Sequence, residues 1–259
     1  SIAFPIRKII QKFNNFYFRL GRVIEVDTKN NKILADIGEL HFDYLVIATG
    51  SKTNNFGNKE IERNSMSMKT IPQSLNIRSL ILENFEQALL TNDANERNSL
   101  TNFCLVGGGP TGVELSGAFA ERKNDILQKD YPDLDINKME INLIQSGDRI
   151  LDSMSEESSR EAEEFLVKLG VKIHKNVRVT GYDGKIVTTN TDLSFDTATV
   201  IWTAGVLGAV INGLNGALDN KTERITVNQF CKVAGFDNIF AIGDVGCRAG
   251  DINQCGIPM

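Results

Sequence analysis

Short apolar runs separated by polar turns predict strands in the first fifty residues. Three runs have the length of a strand: Tyr17–Ile24, Lys32–Asp36 and Leu40–Ile47. The last part of the third run, Asp43–Ala48, is almost continuously apolar before Thr49-Gly50, which is typical of a buried strand in a parallel sheet followed by a tight turn. The beginning of the chain is therefore predicted to be rich in strands.

The spacing of apolar residues changes to that of a helix in the next segment. Leucines and Phe85 recur at roughly helical intervals over residues 73–98, with Glu and Asn between them, and this predicts a helix. The polar segment Thr91–Thr101 is interpreted as a linker. The sequence thus places a domain boundary near residue 97.

The rest of the chain alternates strands with helices. Phe103–Val106 is a predicted strand, and a helix is predicted to begin at Pro110 after a glycine-rich turn. This alternation predicts an α/β fold built on parallel sheets. The later predicted elements are the strand Ile141–Ile144, a helix over residues 155–169 ended by Gly170, a hairpin at Asp183-Gly184, and the strands Thr199–Trp202 and Ile239–Ile242.

Composition and charge argue against several classes of function. The chain has 259 residues and a formal net charge of -5, and its basic residues form no block, so nucleic acid is not expected as a partner. The most apolar stretch, Val200–Ile211, is far shorter than the ~20 residues that cross a bilayer. No signal peptide or membrane-spanning segment is predicted.

Cysteines and histidines are few and scattered. No two cysteines form a CxxC pair, so neither a zinc site nor a thioredoxin-like motif is predicted, and no metal ligand is assigned. The wide spacing fits reduced intracellular thiols. Cys104 is predicted to be inert core, and both histidines are expected on the solvated surface. The residues concerned are Cys104, Cys231, Cys247, Cys255, His41 and His174.

The glycine-rich turn carries the main chemical signal. It fits G-x-G-x-x-G directly after a predicted strand and at the start of a predicted helix, the context of a dinucleotide-binding loop. Gly107 would allow a tight turn, Gly109 would let the backbone approach a pyrophosphate, and Gly112 would let helix and strand pack closely. The candidate nucleotide-binding residues here are Gly107, Gly108, Gly109, Pro110, Thr111 and Gly112.

The residue that would contact the nucleotide ribose is Gln145 rather than the usual acidic residue. It follows the predicted strand Ile141–Ile144 and lies further from the glycine loop than the usual spacing of ~20 residues, because residues 121–138 form an apparent insertion. Gln145 can hydrogen-bond a hydroxyl without repelling a phosphate, and Arg149 could add a favourable charge, so NADPH would be tolerated beside NADH. A surface glutamine at a strand end is the open alternative.

At this point the chain resembles the type II NADH dehydrogenases, single-subunit flavoproteins that transfer electrons from NADH to quinone. The joint order of the motifs carries the resemblance, since each turn alone is common. They are GGGPTGVE at Gly107–Glu114, ATG at Ala48–Gly50, IWTAGV at Ile201–Val206 and FAIGDV at Phe240–Val245, with Ile81–Glu86 and Asp148–Leu151 in addition.

The resemblance implies two Rossmann-like dinucleotide-binding domains. An NAD domain at residues 97–212 would be inserted in an FAD domain formed by residues 1–96 and 213–259. Glu114 would lie near the nicotinamide as the catalytic residue; a helix-start carboxylate that stabilises the helix dipole is the equal alternative. The other implied contacts are Ala48, Thr49, Gly50, Gly243 and Asp244 with FAD, and Thr203, Ala204 and Gly205 with NADH.

The resemblance also implies partners and a location. Hydride would pass from NADH to FAD, and a quinone would accept the electrons. The intact enzyme would be a peripheral protein on the cytoplasmic side of the inner membrane and could form a homodimer. Because the family's first FAD loop and its membrane anchor would lie outside Ser1–Met259, the chain is expected to be a fragment, soluble and inactive by itself, that holds little FAD.

Two other functions fit the same motifs. One is another flavoprotein reductase with two dinucleotide-binding domains, of the ferredoxin or disulfide reductase type. The second is a non-catalytic module that binds NAD(H) and serves as a sensor or scaffold.

Overall fold

The computed structural model describes residues 5–123 and 128–248, which belong to two compact units. The outer unit consists of Ser1–Ser51 and Gly208–Met259, and the inserted unit is Lys52–Leu207. The assignment of residues 1–96 and 213–259 to an FAD domain and of residues 97–212 to an NAD domain stays a prediction. Cys255 and the residues at both chain ends on which the fragment expectation depends lie outside the described residues.

The elements follow one another along the chain as strands with interspersed helices. The helices are α1 (Ile6–Ile10), α2 (Lys59–Asn64), α3 (Ile71–Leu90), α4 (Ala94–Thr101), α5 (Pro110–Arg122), α6 (Gln128–Asp130) and α7 (Glu156–Lys168). The strands are β1 (Val23–Asp27), β2 (Lys32–Ala35), β3 (Gly38–His41), β4 (Leu45–Ile47), β5 (Ser51–Thr53), β6 (Met66–Ser67), β7 (Phe103–Val106), β8 (Ile141–Ile144), β9 (Lys172–His174), β10 (Val179–Tyr182), β11 (Ile186–Thr189), β12 (Ser194–Asp196), β13 (Thr199–Trp202), β14 (Val206–Gly208), β15 (Ile225–Val227), β16 (Ile239–Ala241) and β17 (Gly246–Arg248).

The inserted unit is organised around a five-stranded parallel sheet. Its strand order is β6-β13-β7-β8-β9, and every neighbouring pair is parallel. The central strands β13, β7 and β8 are buried at every position. Strands that are covered on both faces are expected to be mostly apolar. Strand β7 is apolar throughout, whereas β8 carries the buried Asn142 and β13 the buried Thr199.

Alternate side chains of the neighbouring strands β7 and β8 enter different cores. Phe103 and Leu105 pack in one core with residues of α3, α5 and α7, whereas Cys104 and Val106 pack in the other with the antiparallel sheet β10-β11-β12. This division follows from the two-residue period of a strand. Cys104 is fully buried, as predicted, and burial raises the pKa of its thiol.

The outer unit combines an antiparallel sheet with two parallel strand pairs. Strands β1, β2 and β3 form a meander, while β16 pairs with β4 and β15 pairs with β17. A separate core fills this unit, formed by Val26, Ile47, Leu214, Ala217, Ile225, Val227, Val233, Ile239, Ala241 and Val245. The outer unit therefore has a core of its own.

Two strand predictions in the outer unit were wrong in extent. The predicted strand Tyr17–Ile24 is instead β1, because its pairing partner β2 lies opposite residues 23–27 only. The predicted strand Leu40–Ile47 is divided between β3 and β4, which belong to different sheets. The buried environment expected for the second part holds for Ile47 but not for Val46, which is 58% exposed.

The predicted linker Thr91–Thr101 was also wrong, because most of it is helix α4. Asp93 caps this helix by accepting hydrogen bonds from the backbone N–H groups of Asn95 and Glu96. The single helix predicted over residues 73–98 is therefore two helices. The predicted hairpin at Asp183-Gly184 is confirmed as the turn between β10 and β11.

None of the helices in the described residues combines the length and the apolar character needed to cross a lipid bilayer. The described residues also contain no group of three or more His, Cys, Asp or Glu side chains that could hold a metal ion.

The two histidines differ in environment, which leads to a prediction about pH. His41 is exposed, as predicted, whereas His174 is half-buried, with its Nε2 atom 2.9 Å from Asn142 Oδ1. Burial, helped by the charge of Lys172, lowers the pKa of His174 from 6.5, although Glu140 opposes the shift. The unfolded chain then binds more protons than the folded protein as the pH falls through 6.5.

We therefore expect the free energy of unfolding to fall as the pH drops below 6.5, in part through His174. His174→Asn should make the dependence between pH 5 and 7 shallower in urea unfolding. His41→Asn, at the exposed histidine, is the control for the substitution itself. Equal slopes in all three proteins would show that His174 does not contribute.

Candidate functional site

A cleft of about 720 Å³ lies in the inserted unit at the carboxyl ends of its central strands. Ligands of open parallel sheets bind in this place, where neighbouring strands connect in opposite directions. Here β8 lies on one side of β7 and β13 lies on the other. The cleft is lined by Asn55, Phe56, Asn58, Ile61, residues 106–109, residues 144–146, Asp152, residues 177–180 and residues 202–205.

The glycine loop begins with a turn that only glycine fits. Gly107 has a φ of +110°, and its N–H donates to the Ile144 carbonyl at 2.8 Å. A Cβ atom at Gly107 would come within 2.7 Å of the Ala204 backbone nitrogen. The loop therefore crosses directly against the segment that follows β13.

Helix α5 is held against the turn through Gly112. A Cβ atom at Gly112 would lie 1.9 Å from the Gly107 carbonyl oxygen, so the two backbones are in direct contact. The Thr203 hydroxyl donates to the carbonyls of Val106 and Gly107, at 2.9 and 3.1 Å. Thr203 thus joins β13 to the start of the loop.

Gly109 is the residue of the loop that has free space beside its Cα atom. It is the N-cap residue of α5, no side chain caps the helix there, and Pro110 occupies the first turn. Among the residues that the structure describes, a Cβ atom at Gly109 would meet nothing within 4 Å beyond its two neighbours in the chain. The positive end of the helix dipole and the unsatisfied N–H groups of the first turn favour an anion beside Gly109.

Gln145 is buried, and its side chain belongs to the loop. The side-chain Oε1 accepts a hydrogen bond from the Gly108 N–H at 2.9 Å, and Nε2 donates to the Arg149 carbonyl at 3.2 Å. The alternative of a surface glutamine is therefore wrong. Gln145 lines the cleft while its amide connects the glycine loop to the next turn.

Other predicted residues lie around the loop without lining the cleft. The Arg149 guanidinium donates to the backbone carbonyls of Asp152 and Met154, so it is bonded to the turn that follows it in the chain. Pro110, Thr111 and Glu114 are exposed on α5. Among the described residues, the cleft lining includes none of these four side chains.

Sequence reasoning missed a segment on the β13 side of the cleft, residues 54–58, here called the asparagine strap. The indole N–H of Trp202 donates to the carbonyls of Asn54 and Ala204, each at 2.9 Å. The Phe56 ring packs edge-on against Trp202, with centroids 6.4 Å apart. The Asn-Asn-Phe-Gly run predicts a turn. Its contact with Trp202 could not be predicted from the sequence, because Asn54 and Trp202 are 148 positions apart.

A second set of predicted residues lies within the outer unit. The turns Ala48–Gly50 and Gly243–Asp244 follow the parallel strands β4 and β16, so they lie at the same end of that strand pair. Ser51, which the motifs did not single out, donates its hydroxyl hydrogen bond to Asp244 Oδ2 at 2.9 Å. The Asp244 carboxylate is thus held by a hydroxyl of the same unit.

One known protein family matches almost the whole chain. The profile of the pyridine nucleotide-disulphide oxidoreductase family matches residues 2–256. The chain belongs to this family. The predicted α/β fold is confirmed by the family match and by the parallel sheet of this chain, which carries a glycine loop at its carboxyl edge.

Several known proteins resemble the chain over most of its length. The type II NADH:quinone oxidoreductase Ndh of Mycobacterium tuberculosis is 30% identical, with 96% of this chain and 57% of that protein covered. An external alternative NAD(P)H-ubiquinone oxidoreductase B3 of Arabidopsis thaliana mitochondria is 28% identical, with 94% and 45% covered. The chain spans about half the length of these relatives, and its predicted resemblance to type II NADH dehydrogenases is confirmed.

A solved structure agrees with these relatives. The NDH2 of Plasmodium falciparum in complex with NADH superposes with a TM-score of 0.82 at 25% identity, covering 92% of this chain and 53% of that chain. A ferredoxin reductase of Rhodopseudomonas palustris shares the fold, with a TM-score of 0.72 at 17% identity.

Proposed function

We propose that this chain is the nucleotide-handling part of a flavin-dependent NAD(P)H dehydrogenase that transfers electrons to a quinone. The observation that carries the proposal is Gly109, which opens from the start of α5 into a cleft at the carboxyl edge of a parallel sheet. An extended dinucleotide needs such a place for its pyrophosphate. The relatives named as NADH:quinone oxidoreductases support the choice of donor and acceptor.

We propose a direction for the bound nucleotide from the topology of the sheet. The pyrophosphate would lie at Gly109, over the end of β7. In this type of fold the adenosine ribose lies at the end of the strand after the loop, which here is β8 with Gln145. The nicotinamide half then extends to the other side of β7, towards Thr203–Gly205 after β13.

The outer unit supplies the proposed flavin contacts. The backbone of Ala48–Gly50 would pass close to the flavin nucleotide, and Asp244, held by Ser51, would accept hydrogen bonds from its ribityl or phosphate region. Gly243 has a φ of +69°, so the turn that presents Asp244 requires the left-handed conformation. When bound, FAD would accept a hydride from the nicotinamide and supply two electrons to the quinone.

Three further parts of the proposal rest on the resemblance. Glu114, exposed on α5, is proposed to act near the nicotinamide. The whole protein is proposed to bind the cytoplasmic face of the inner membrane as a peripheral protein, where a quinone is accessible. A homodimer is its proposed assembly.

The direct test is a spectrophotometric assay of the full-length protein with FAD, NADH and a short-chain quinone. We expect NADH oxidation that depends on both the flavin and the quinone. Oxidation that proceeds with a ferredoxin or a disulfide but not with the quinone would instead assign another reductase of the family. Tight NADH binding with no flavin and no turnover would identify a non-catalytic module.

Gln145→Glu is expected to shift nucleotide preference towards NADH. The carboxylate can still accept the hydrogen bond from the Gly108 N–H, but it places a negative charge where NADPH carries its extra phosphate. Two like charges ~4 Å apart cost up to about 4 kcal/mol near a protein surface before salt screening. We expect the ratio of NADH to NADPH affinity to rise by at least about tenfold, measured by calorimetry.

Gln145→Met is the matched control for charge. It removes both hydrogen bonds of the amide without adding a charge, so it should weaken both nucleotides to a similar extent. If Gln145→Glu left the ratio unchanged, the neighbouring turn at Ser146-Gly147 would have to recognise the phosphate instead.

A further inference from the structure

The asparagine strap contains three side-chain amides, and one differs from the others. Asn54 Oδ1 accepts a hydrogen bond from the Phe56 N–H, and Asn58 Oδ1 caps α2 by accepting from two backbone N–H groups. Asn55 Oδ1 is buried and has no hydrogen-bond partner among the described residues. A buried acceptor without a donor is unfavourable, so such a group in a binding site indicates a donor on the ligand.

Two hydrogen bonds hold the strap on one side of the cleft. The Asn54 N–H donates to the Gly205 carbonyl at 3.3 Å, and the Trp202 indole N–H donates back to the Asn54 carbonyl. Phe56 has a φ of +50°, an unfavourable conformation for an aromatic residue, and it packs against Trp202. Since Trp202 ends β13, Asn55 lies on the side of β7 opposite Gln145.

We infer that Asn55 is a specificity residue that accepts a hydrogen bond from the nicotinamide nucleoside half of NADH. The inference rests on the proposed function, which places the adenosine half at Gln145 and the nicotinamide half at the end of β13. That half carries two kinds of donor, the carboxamide N–H and the ribose hydroxyls. Either kind of donor would satisfy the buried oxygen of Asn55. The glycine loop and Gln145 hydrogen-bond to each other and would not compete for that donor.

The test compares three nucleotides on the wild-type protein and on Asn55→Leu, which removes the amide while keeping a similar volume. NADH carries both donors, ADP-ribose lacks the carboxamide, and ADP lacks the whole nicotinamide nucleoside. We expect Asn55→Leu to weaken NADH on the order of tenfold and to leave ADP within about twofold. ADP-ribose weakened like NADH identifies a ribose hydroxyl, and ADP-ribose left unchanged identifies the carboxamide.

Thermal unfolding without nucleotide separates binding from structural damage. Because the Asn55 oxygen has no donor in the part of the chain that the structure describes, Asn55→Leu should unfold at the same temperature as the wild type or higher. Asn64→Leu is the matched control, since the Asn64 amide donates to the Tyr182 carbonyl away from the cleft. It should unfold at a lower temperature and bind NADH normally.

Two results would overturn the inference alone: unchanged NADH affinity in Asn55→Leu, or an equal loss for NADH and ADP. If the wild-type protein bound neither NADH nor ADP, the proposed function would be wrong, and this inference with it.

Discussion

Gly112→Ala is expected to lower the free energy of unfolding by about 3 kcal/mol or more. The new Cβ atom would lie 1.9 Å from the Gly107 carbonyl oxygen and 2.9 Å from Thr203 Oγ1. Overpacking of a core typically costs 1–3 kcal/mol. Here the nearest atom is backbone and cannot rotate away, so the cost lies at the upper end of that range.

The sign of this effect makes the prediction specific. In an ordinary helix position, alanine is more favourable than glycine by about 1 kcal/mol. Gly117, five residues later on α5, is such a position, because its Cβ atom would make an ordinary contact at 3.6 Å with Leu166. Gly117→Ala should therefore stabilise the protein, whereas Gly112→Ala should destabilise it.

Thermal unfolding measures both variants. At about 2–4 °C for each kcal/mol in a protein of this size, Gly112→Ala should lower the midpoint by roughly 6 °C or more. Nucleotide affinity should fall as well, since α5 must move away from the turn. A midpoint of Gly112→Ala at or above that of Gly117→Ala would mean that the helix and the loop are not in contact at Gly112.

Gly109→Val is expected to weaken NADH binding by more than tenfold, or about 1.4 kcal/mol, with little loss of stability. The Gly109 backbone is extended, with φ -73° and ψ -179°, which valine adopts without strain. Apart from its two neighbours in the chain, the Cβ atom would meet no atom of the described residues within 4 Å. The side chain would instead fill the space where the pyrophosphate approaches the start of α5.

Calorimetry with NADH, together with thermal unfolding, separates this variant from Gly112→Ala. The loss of a favourable N-cap residue limits the destabilisation by Gly109→Val to about 1 kcal/mol. Wild-type affinity in this variant would show that the pyrophosphate does not approach at Gly109 and would remove the main support for the proposed function. Gly117→Ala serves again as the control, with unchanged affinity expected.

The sequence by itself determined the glycine loop and its setting. The strand before Gly107, the helix from Pro110 and the glycines between them are consecutive, so their periodicity and backbone requirements are local. The same holds for the hairpin at Asp183-Gly184 and for helix α7, which begins after the capping residue Ser155. Local patterns suffice where neighbouring residues supply the determining contacts.

Tertiary structure decided what distant residues do. Gln145 turns towards the Gly108 N–H because β7 and β8 are neighbours in the sheet, and the asparagine strap reaches the cleft because Trp202 holds it from the end of β13. The bounds of strand β1, residues 23–27, are set by its pairing with β2. Each of these outcomes depends on pairing between segments far apart in the chain, which hydrophobic periodicity does not encode.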